Sequence, residues 1–501
     1  MLLSFKSLLG SLALAGMLCA CTVGPDFSEP AAPQTERYIS PAEVVPPNDP
    51  GPGARRQTTV MGEKIAADWW TLFRSSDIDE LVKTAIAGNR TLEGAKARLA
   101  SAREAVIAAN GGLYPQLDFN SGVARQKTST ASFGLKPGSI HLPPNFNVYS
   151  VGATASFDPD IFGGTRRFIE QRSSLADYQG YQLDAAYLSL TGNAVLQAIE
   201  LASLRAQLQA VDDITGIDEN NLDLVRKSRD AGVAPDSDVV SAEAQLATDE
   251  TLRPPLRQQL SQARHNLAVL VGRAPGDWLP PTFDLTNFTL PDELPVSLPS
   301  ALVHQRPDIL AAEAQLHAAN AAIGVATARL YPNITLSASA GQTAISTATL
   351  FDKSSLVWSL ASNLTAPIFH GGTLEAERRA AADDFKAALA DYEQTVLVSF
   401  GQVADLLQAL SHDAQLLRTQ QRALTAASEA VRLQRLGYSG GGQGVIPVLD
   451  AERQYQQARL GYVRAQAQRF ADTVQLFVAM GGGWWGADLK PEQNAALSAG
   501  K

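Results

Sequence analysis

The chain has 501 residues, 45% of them hydrophobic and 18% charged, with a formal net charge of -10 and a mean hydropathy of -0.06. That length permits a large core or several domains, the hydropathy excludes a polytopic helical membrane protein, and the acidic balance argues against nucleic acid, whose phosphates need a basic surface. The two cysteines, Cys19 and Cys21, both lie near the N-terminus, so no disulfide framework, redox pair or cysteine metal site is available downstream.

Residues 1–20 read as an export signal. Lys6 supplies the positive charge, and the apolar stretch Leu8 to Ala20 is too short to span a bilayer as a helix. It ends in Leu18-Cys19-Ala20-Cys21, which resembles a bacterial lipobox cleaved before Cys21. Cys21 is therefore the expected lipidation site, and several acyl chains there would give a stable anchor. The resemblance to lipoproteins implies that Thr22, in place of Asp, permits sorting to the outer membrane. Eight prolines fall in residues 22–56 without apolar periodicity. Residues 21–56 thus read as an extended, lipid-anchored tether.

Ordered structure is expected from Trp69-Trp70 onward, and an internal repeat organises the rest of the chain. Leu113-Tyr114-Pro115 returns as Leu330-Tyr331-Pro332, and Ile161-Phe162-Gly163-Gly164-Thr165 as Ile368-Phe369-His370-Gly371-Gly372-Thr373. Ser241-Ala242-Glu243-Ala244-Gln245 returns as Asp450-Ala451-Glu452-Arg453-Gln454. Each copy opens with an Ala-rich helix, predicted over 77–110 and 300–328. A strand pair comes after it, in segments 113–165 and 330–373. A long helix is next, over 166–229 and 374–437, each without an internal proline and spanning roughly 96 Å at the helical rise. Return helices over 236–271 and 445–480 complete the helical segments 166–272 and 374–481. Pro254-Pro255 predicts a kink or break in the first return helix. Segment 57–112 holds a leading stretch and the first helix, 273–299 links the two copies, 300–329 opens the second, and 482–501 is the C-terminal tail.

Four segments alternate with period two. Leu117, Phe119, Ser121 and Val123 share one parity, as do Tyr149, Val151, Ala153, Ala155 and Phe157. So do Ile334, Leu336, Ala338 and Ala340, and then Leu356, Trp358, Leu360 and Leu364. The opposite parity is small and polar. Each segment is about ten residues long, the length of a transmembrane β-strand. A soluble sandwich with one wet face would alternate in the same way, but the lipobox and the paired long helices weigh against it. Four strands cannot close a barrel, and each unpaired backbone group in lipid costs several kcal/mol. With about five such groups per edge, the penalty reaches tens of kcal/mol, so copies of the chain must share a barrel. Two copies would give eight strands, whose interior side chains fill; three or more leave an open lumen. Edge pairing alone does not choose three over four.

Together these residues resemble a known family, the outer membrane factors of tripartite efflux pumps (the TolC-like and OprM-like proteins), and within it the lipoprotein branch attached to resistance-nodulation-division pumps. The motifs are Cys21-Thr-Val-Gly-Pro-Asp26-Phe, Trp69-Trp70-x-x-Phe73, Arg306-Pro307-Asp308-Ile309 with Ala312-Glu313, Ile323-Gly324-Val325-Ala326 running to Tyr331-Pro332, and Leu449-Asp450-Ala451. The resemblance covers essentially residues 21–482. It implies a mainly α protein with membrane β-structure: a homotrimer whose 12-stranded β-barrel is continuous with a 12-helix periplasmic α-barrel. A mixed equatorial region would draw on residues 57–75, 273–299 and the C-terminal segment. The expected role is a passive outer-membrane exit duct for drugs, solvents or metal ions. The implied partners are a periplasmic adaptor protein, an inner-membrane resistance-nodulation-division pump and outer-membrane lipid. Alternatives are the outer-membrane component of a type I secretion system or a periplasmic adaptor lipoprotein. Adaptors, however, have one helical hairpin and no amphipathic β-segments.

The resemblance also implies a periplasmic tip at the helix junctions near 229–238 and 438–446. Asp450 matches an acidic ring there that would attract cations; its other reading is an acid in the first turns of a helix. Ile446, one turn earlier, could form an apolar constriction. Tyr438 matches a tyrosine that latches the closed state, but Gln443 stands where an arginine latch is expected, and Gly440-Gly441-Gly442 predicts a flexible turn. Asp236 and Asp238 are candidate latch partners, with helix capping after Pro235 the stronger reading. No catalytic residue, cofactor or metal is expected. Gly437-Tyr438-Ser439-Gly440-Gly441 fits G-x-S-x-G but comes after a helix, whereas a nucleophile elbow needs a strand. The six histidines are scattered, and no P-loop is present.

Overall fold

In chain order the computed structural model contains β1 (Thr58–Met61), α1 (Ser76–Gly88), α2 (Arg90–Asn110), β2 (Gln116–Gln126), β3 (Phe146–Phe157), α3 (Gly164–Asp230), α4 (Asp236–Glu250), α5 (Arg253–Leu270), β4 (Glu293–Val296), α6 (Pro307–Ala328), β5 (Asn333–Ala344), β6 (Leu356–Thr365), α7 (Thr373–Ser439) and α8 (Ile446–Ala479). The structure describes residues 22–33, 35, 37–40, 57–63, 65–127 and 145–483. Cys21, and with it the lipidation expectation, lies outside them, as does the tail beyond residue 483.

Local chemistry sets the boundaries. The helix predicted over 77–110 is two helices. Ser75 accepts from the Ile78 amide to start α1. Asn89 then ends α1 and starts α2, its Oδ1 accepting from the Leu92 amide at 2.9 Å while its Nδ2 donates to the Leu270 carbonyl at 2.9 Å. The helix predicted over 300–328 is one turn at Pro299–Leu302, a break, and then α6 from Pro307, whose missing N–H and fixed φ suit a first turn. The return helix predicted over 236–271 breaks at Thr251-Leu252, and Pro254-Pro255 fall in the first turn of α5. Helices α3 and α7 have 67 residues each, about 100 Å at 1.5 Å per residue.

Two compact units divide the chain: Met1–Glu29, Leu99–Gln179 and Ala312–Tyr392 form the first, and Pro30–Arg98, Gly180–Ala311 and Glu393–Lys501 the second. The first holds an antiparallel sheet in the order β2-β3-β5-β6. Its register places Phe119 opposite Ala153, Ala153 opposite Ala340, and Ala340 opposite Trp358. The next row runs Leu117, Ala155, Ala338, Leu360. Directly paired residues point to the same side, so the four apolar parities form one face, on which Leu117, Phe119, Trp358 and Leu360 are each more than 70% exposed. The opposite face carries rows such as Asp118, Thr154, Ser339, Ser359. There the paired Gly152 and Gly341 approach so closely that a Cβ on Gly341 would lie 2.5 Å from the Val151 carbonyl oxygen. Among the described residues, β2 and β6 each pair on one side only.

The second unit is built on an aromatic core. Trp69, Phe73, Phe283 and Phe477 are fully buried, with Trp69 edge-on to Phe73 and Phe73 edge-on to Phe477. β1 and β4 pair in parallel beside it. The Arg306-Pro307-Asp308 motif is structural: buried Arg306 donates to the Ala479 carbonyl at 3.0 Å, to Gln402 at 2.9 Å and to both oxygens of Asp308.

Candidate functional site: the helical tip and the amphipathic sheet

Two helix-to-helix turns lie in the second unit, one between α3 and α4, the other between α7 and α8. Both close in the same way. Gly232 (φ 73°) precedes Val233, whose amide donates to the Ser228 carbonyl at 2.9 Å. Gly441 (φ 71°) precedes Gly442, whose amide donates to the Gly437 carbonyl at 3.0 Å. These are left-handed glycine caps that use the terminal carbonyls of each long helix. In this conformation the Gly440-Gly441-Gly442 turn forms a cap, with Gln443 Nε2 donating to the Gln434 carbonyl at 2.7 Å.

A small apolar cluster of Leu222, Val225, Val239, Ala242, Val445 and Leu449 holds the two hairpins together, with Tyr438 packed against it. The Tyr438 hydroxyl lies 3.5 Å from Ser228 Oγ. Tyr438 thus belongs with the cluster that contains Val445 and Leu449, whereas Ile446 and Asp450 are exposed. The latter two sit four residues apart, on one exposed stripe of α8. Asp450 makes a 2.6 Å ion pair with Arg453, both about half exposed. Asp236 and Asp238 occupy the first turn of α4, where the helix dipole favours acids. The cap position itself is Pro235, without a side-chain hydrogen bond, which corrects the capping expectation. Arg229 stands 3.8 Å from Asp236.

Beside this cluster runs a groove of about 920 Å³ whose lining includes Ile217, Asp218, Asn221, Arg435, Tyr438 and Glu452. It contains buried acids not singled out in the sequence. Glu452 is 5% exposed. It accepts from Asn221 at 2.5 Å and from Arg435 at 2.7 and 3.0 Å. Burial raises its pKa against the pull of Arg435. Asp218, 2% exposed, is pushed up to about 8 by burial and by its hydrogen bond to, and repulsion from, Asp249. A second pair lies elsewhere in this unit, where burial and Asp472 push Asp413 up to about 7. One signal pointed to Glu452: two residues from an outward Asp450 it stands about 200° around the helix, facing inward.

An exposed apolar sheet face and helices of this length define a class, the outer-membrane channels. The structure of the outer-membrane channel OprN superposes with a TM-score of 0.81 at 28% identity, covering 93% of this chain and 100% of that one. The sequence model described as "Outer membrane efflux protein" matches residues 81–273 and 298–482, and the chain belongs to that family. The pyoverdine export outer membrane protein OpmQ of Pseudomonas aeruginosa is 30% identical over 95% of this chain and 96% of its own length. The cation efflux system protein CusC of Escherichia coli is 28% identical over 93% and 96%. The protein is an outer-membrane exit duct for efflux, and its relatives are channel proteins.

Proposed function

We propose that three copies of this chain build one channel, with β2 of each copy paired to β6 of the next in a closed twelve-stranded barrel. One observation carries the reading: the register aligns all four apolar parities on one exposed face while leaving an unpaired edge at each end of the sheet. At a strand spacing near 4.8 Å and a tilt near 40°, twelve strands close at a backbone radius of about 12 Å. The small residues of the polar face leave that bore open. Cyclic pairing of identical edges also removes both edges from lipid.

Helices α3, α7, α8 and the broken pair α4–α5 supply four helical staves per copy, hence a twelve-helix periplasmic α-barrel. Residues 57–75 and 273–299 form its equatorial girdle. The tandem duplication is supported by the succession of helix, strand pair, long helix and return helix occurring in both halves. Cys21 carries the lipid, and the α3–α4 and α7–α8 turns face a periplasmic adaptor and an inner-membrane resistance-nodulation-division pump. Three Asp450 carboxylates ring the entrance, Ile446 narrows it one turn away, and Tyr438 holds the hairpins closed against Ser228. Export is passive. The printed cargoes of the relatives differ, pyoverdine in one and a cation in another, which fits a duct that takes what its pump delivers.

The assembly is tested by the mass of the detergent-solubilised oligomer, expected at three chains, with a monomer as the refuting result. The gate is tested by Asp450→Ala in planar bilayers. Leak conductance should rise and block by multivalent cations should weaken severalfold; unchanged conductance rejects the assignment.

A further inference from the structure

Two stretches that carry the family resemblance, Thr22–Phe27 and Ile323-Gly324-Val325-Ala326, meet in the first unit. The Val23 amide donates to the Phe162 carbonyl at 3.1 Å. Arg167, only 5% exposed, donates through Nε to the Val23 carbonyl at 3.1 Å and through Nη2 to the Gly24 carbonyl at 3.4 Å and to Asp26 Oδ1 at 2.6 Å. Its Nη1 reaches Glu170 at 2.7 Å. Asn320 Nδ2 donates to the Pro25 carbonyl at 3.0 Å. The Phe27 ring stacks on His317 with centroids 4.2 Å apart, and His317 Nε2 lies 2.9 Å from Glu170. Each residue from Val23 to Phe27 is thus bonded or stacked, and Thr22 packs against Gly163.

The fit is cut by glycines. Gly24 (φ 97°) crosses α6 at Gly324, and a Cβ on Gly24 would lie 2.5 Å from Gly324 Cα. A Cβ on Gly324 would lie 2.6 Å from Arg167 Cγ. On Gly163 (φ 74°) it would lie 2.8 Å from Thr22 Cα. Glycine weakens a helix interior, so Gly324 in the middle of α6 needs a reason, and the crossing strap supplies one. Asp26 is itself almost fully exposed, so its ion pair alone contributes little. The capture of backbone carbonyls by a buried guanidinium, which must have partners, makes the seat specific.

We propose that Arg167, Asn320, His317 and the glycine slot form a binding site for the chain's own Thr22–Phe27 segment, and that this docking fixes the lipidated N-terminus where α3 begins after β3. The proposal rests on the reading of Cys21 as the acylated residue, which is bonded directly to the seated Thr22. Arg167 is then a positioning residue: it holds the anchor at one place instead of leaving the acyl chains on a free tether, and so aids insertion of the strands.

The test uses the full-length, membrane-assembled protein and three readouts: amide exchange of residues 22–27, mass of the acylated N-terminal peptide, and the heat-resistant oligomer fraction. In the parent protein the Val23 amide should exchange about two orders of magnitude more slowly than in a free peptide. Gly324→Ala, which favours the helix while filling the slot, should bring 22–27 to within about tenfold of the free rate. The amides of α6 should stay protected, acylation should be unchanged, and the oligomer fraction should fall severalfold. Gly24→Val, in the strap and outside any core, should reproduce the effect. Free-peptide exchange in the parent, or a strap that stays protected in both variants, overturns the binding site. A released strap with undiminished assembly overturns the positioning role. An unacylated Cys21 in assembled channels refutes the lipoprotein reading alone, and the exchange data separate that failure from the others.

Discussion

Leu360 and Ser359 are neighbours in β6 on opposite faces of the sheet, and the same charge placed at each should have opposite consequences. Leu360 lies in the row Leu117, Ala155, Ala338, Leu360 and is 74% exposed. It stands five residues from the end of β6 at Thr365. At 3.3 Å per residue and a tilt near 40°, that is about 13 Å along the barrel axis, close to the middle of an apolar band about 25 Å tall. A lysine at that depth costs about 2–4 kcal/mol. Threefold assembly repeats it, giving about 6–12 kcal/mol per channel, comparable with the whole stability of a domain. Leu360→Lys should therefore abolish heat-resistant oligomer in the outer-membrane fraction. Ser359→Lys loses only the 2.9 Å contact between the hydroxyls of Ser359 and Ser339, about 1 kcal/mol. It should assemble and, by adding positive charge to the bore, reduce cation conductance in planar bilayers. Normal assembly of Leu360→Lys, or loss of assembly in Ser359→Lys alone, would show that the apolar face does not meet lipid.

The buried acids make the tip pH-dependent. The folded-state pKa of Asp218, about 8, lies above its ordinary value near 4, so the folded tip retains a proton that the unfolded chain has released. This contribution is complete below pH 4 and is lost as pH rises through 8. Amide protection across 214–252 should accordingly fall between pH 6 and pH 9, by at most about 2–3 kcal/mol in opening free energy, and Asp218→Asn should flatten the slope and protect more at pH 9. Rising protection with pH in the parent would reverse the assignment. Gly441→Val forces a β-branched residue to φ 71° and should loosen the α7–α8 turn by about 1–3 kcal/mol, read as faster exchange at Gly442. An unchanged rate would mean that the cap is not needed there.

The sheet was legible because a period of two assigns every residue a face, and Phe119, Ala153, Ala340 and Trp358 ended in one row although 239 positions separate the first from the last. Pro254 and Pro255 located their helix break to within a few residues, because an imino acid cannot supply the amide that a continuous helix requires. Asn89 was less legible: one polar residue in an Ala-rich run looks like a solvated position until its amide is seen capping α2 and binding Leu270. The buried charges were least legible. Asn221 and Glu452 are partners across 231 residues; helical phase turns Glu452 away from Asp450 but names no partner for it. Gly324 had no reason in its own helix; the reason lay in Gly24, 300 positions earlier.

Stability is unevenly placed within the second unit, and that distribution bears on how an entrance could open. Its main core holds Trp69, Phe73, Phe283 and Phe477 with dozens of aliphatic partners, whereas six buried apolar residues and Tyr438 hold the two hairpins together at their turns. At about 1.5–3 kcal/mol per fully buried side chain, separating the smaller cluster even partly is within reach of a docking partner, and separating the larger one is not. Movement of α7 and α8 as a rigid pair past α3 and α4 is the motion this arrangement favours. The Tyr438–Ser228 contact and the Asn221–Glu452 hydrogen bond cross between the two pairs and would be the bonds exchanged as it proceeds, whereas Arg435–Glu452 would travel intact within the α7–α8 pair.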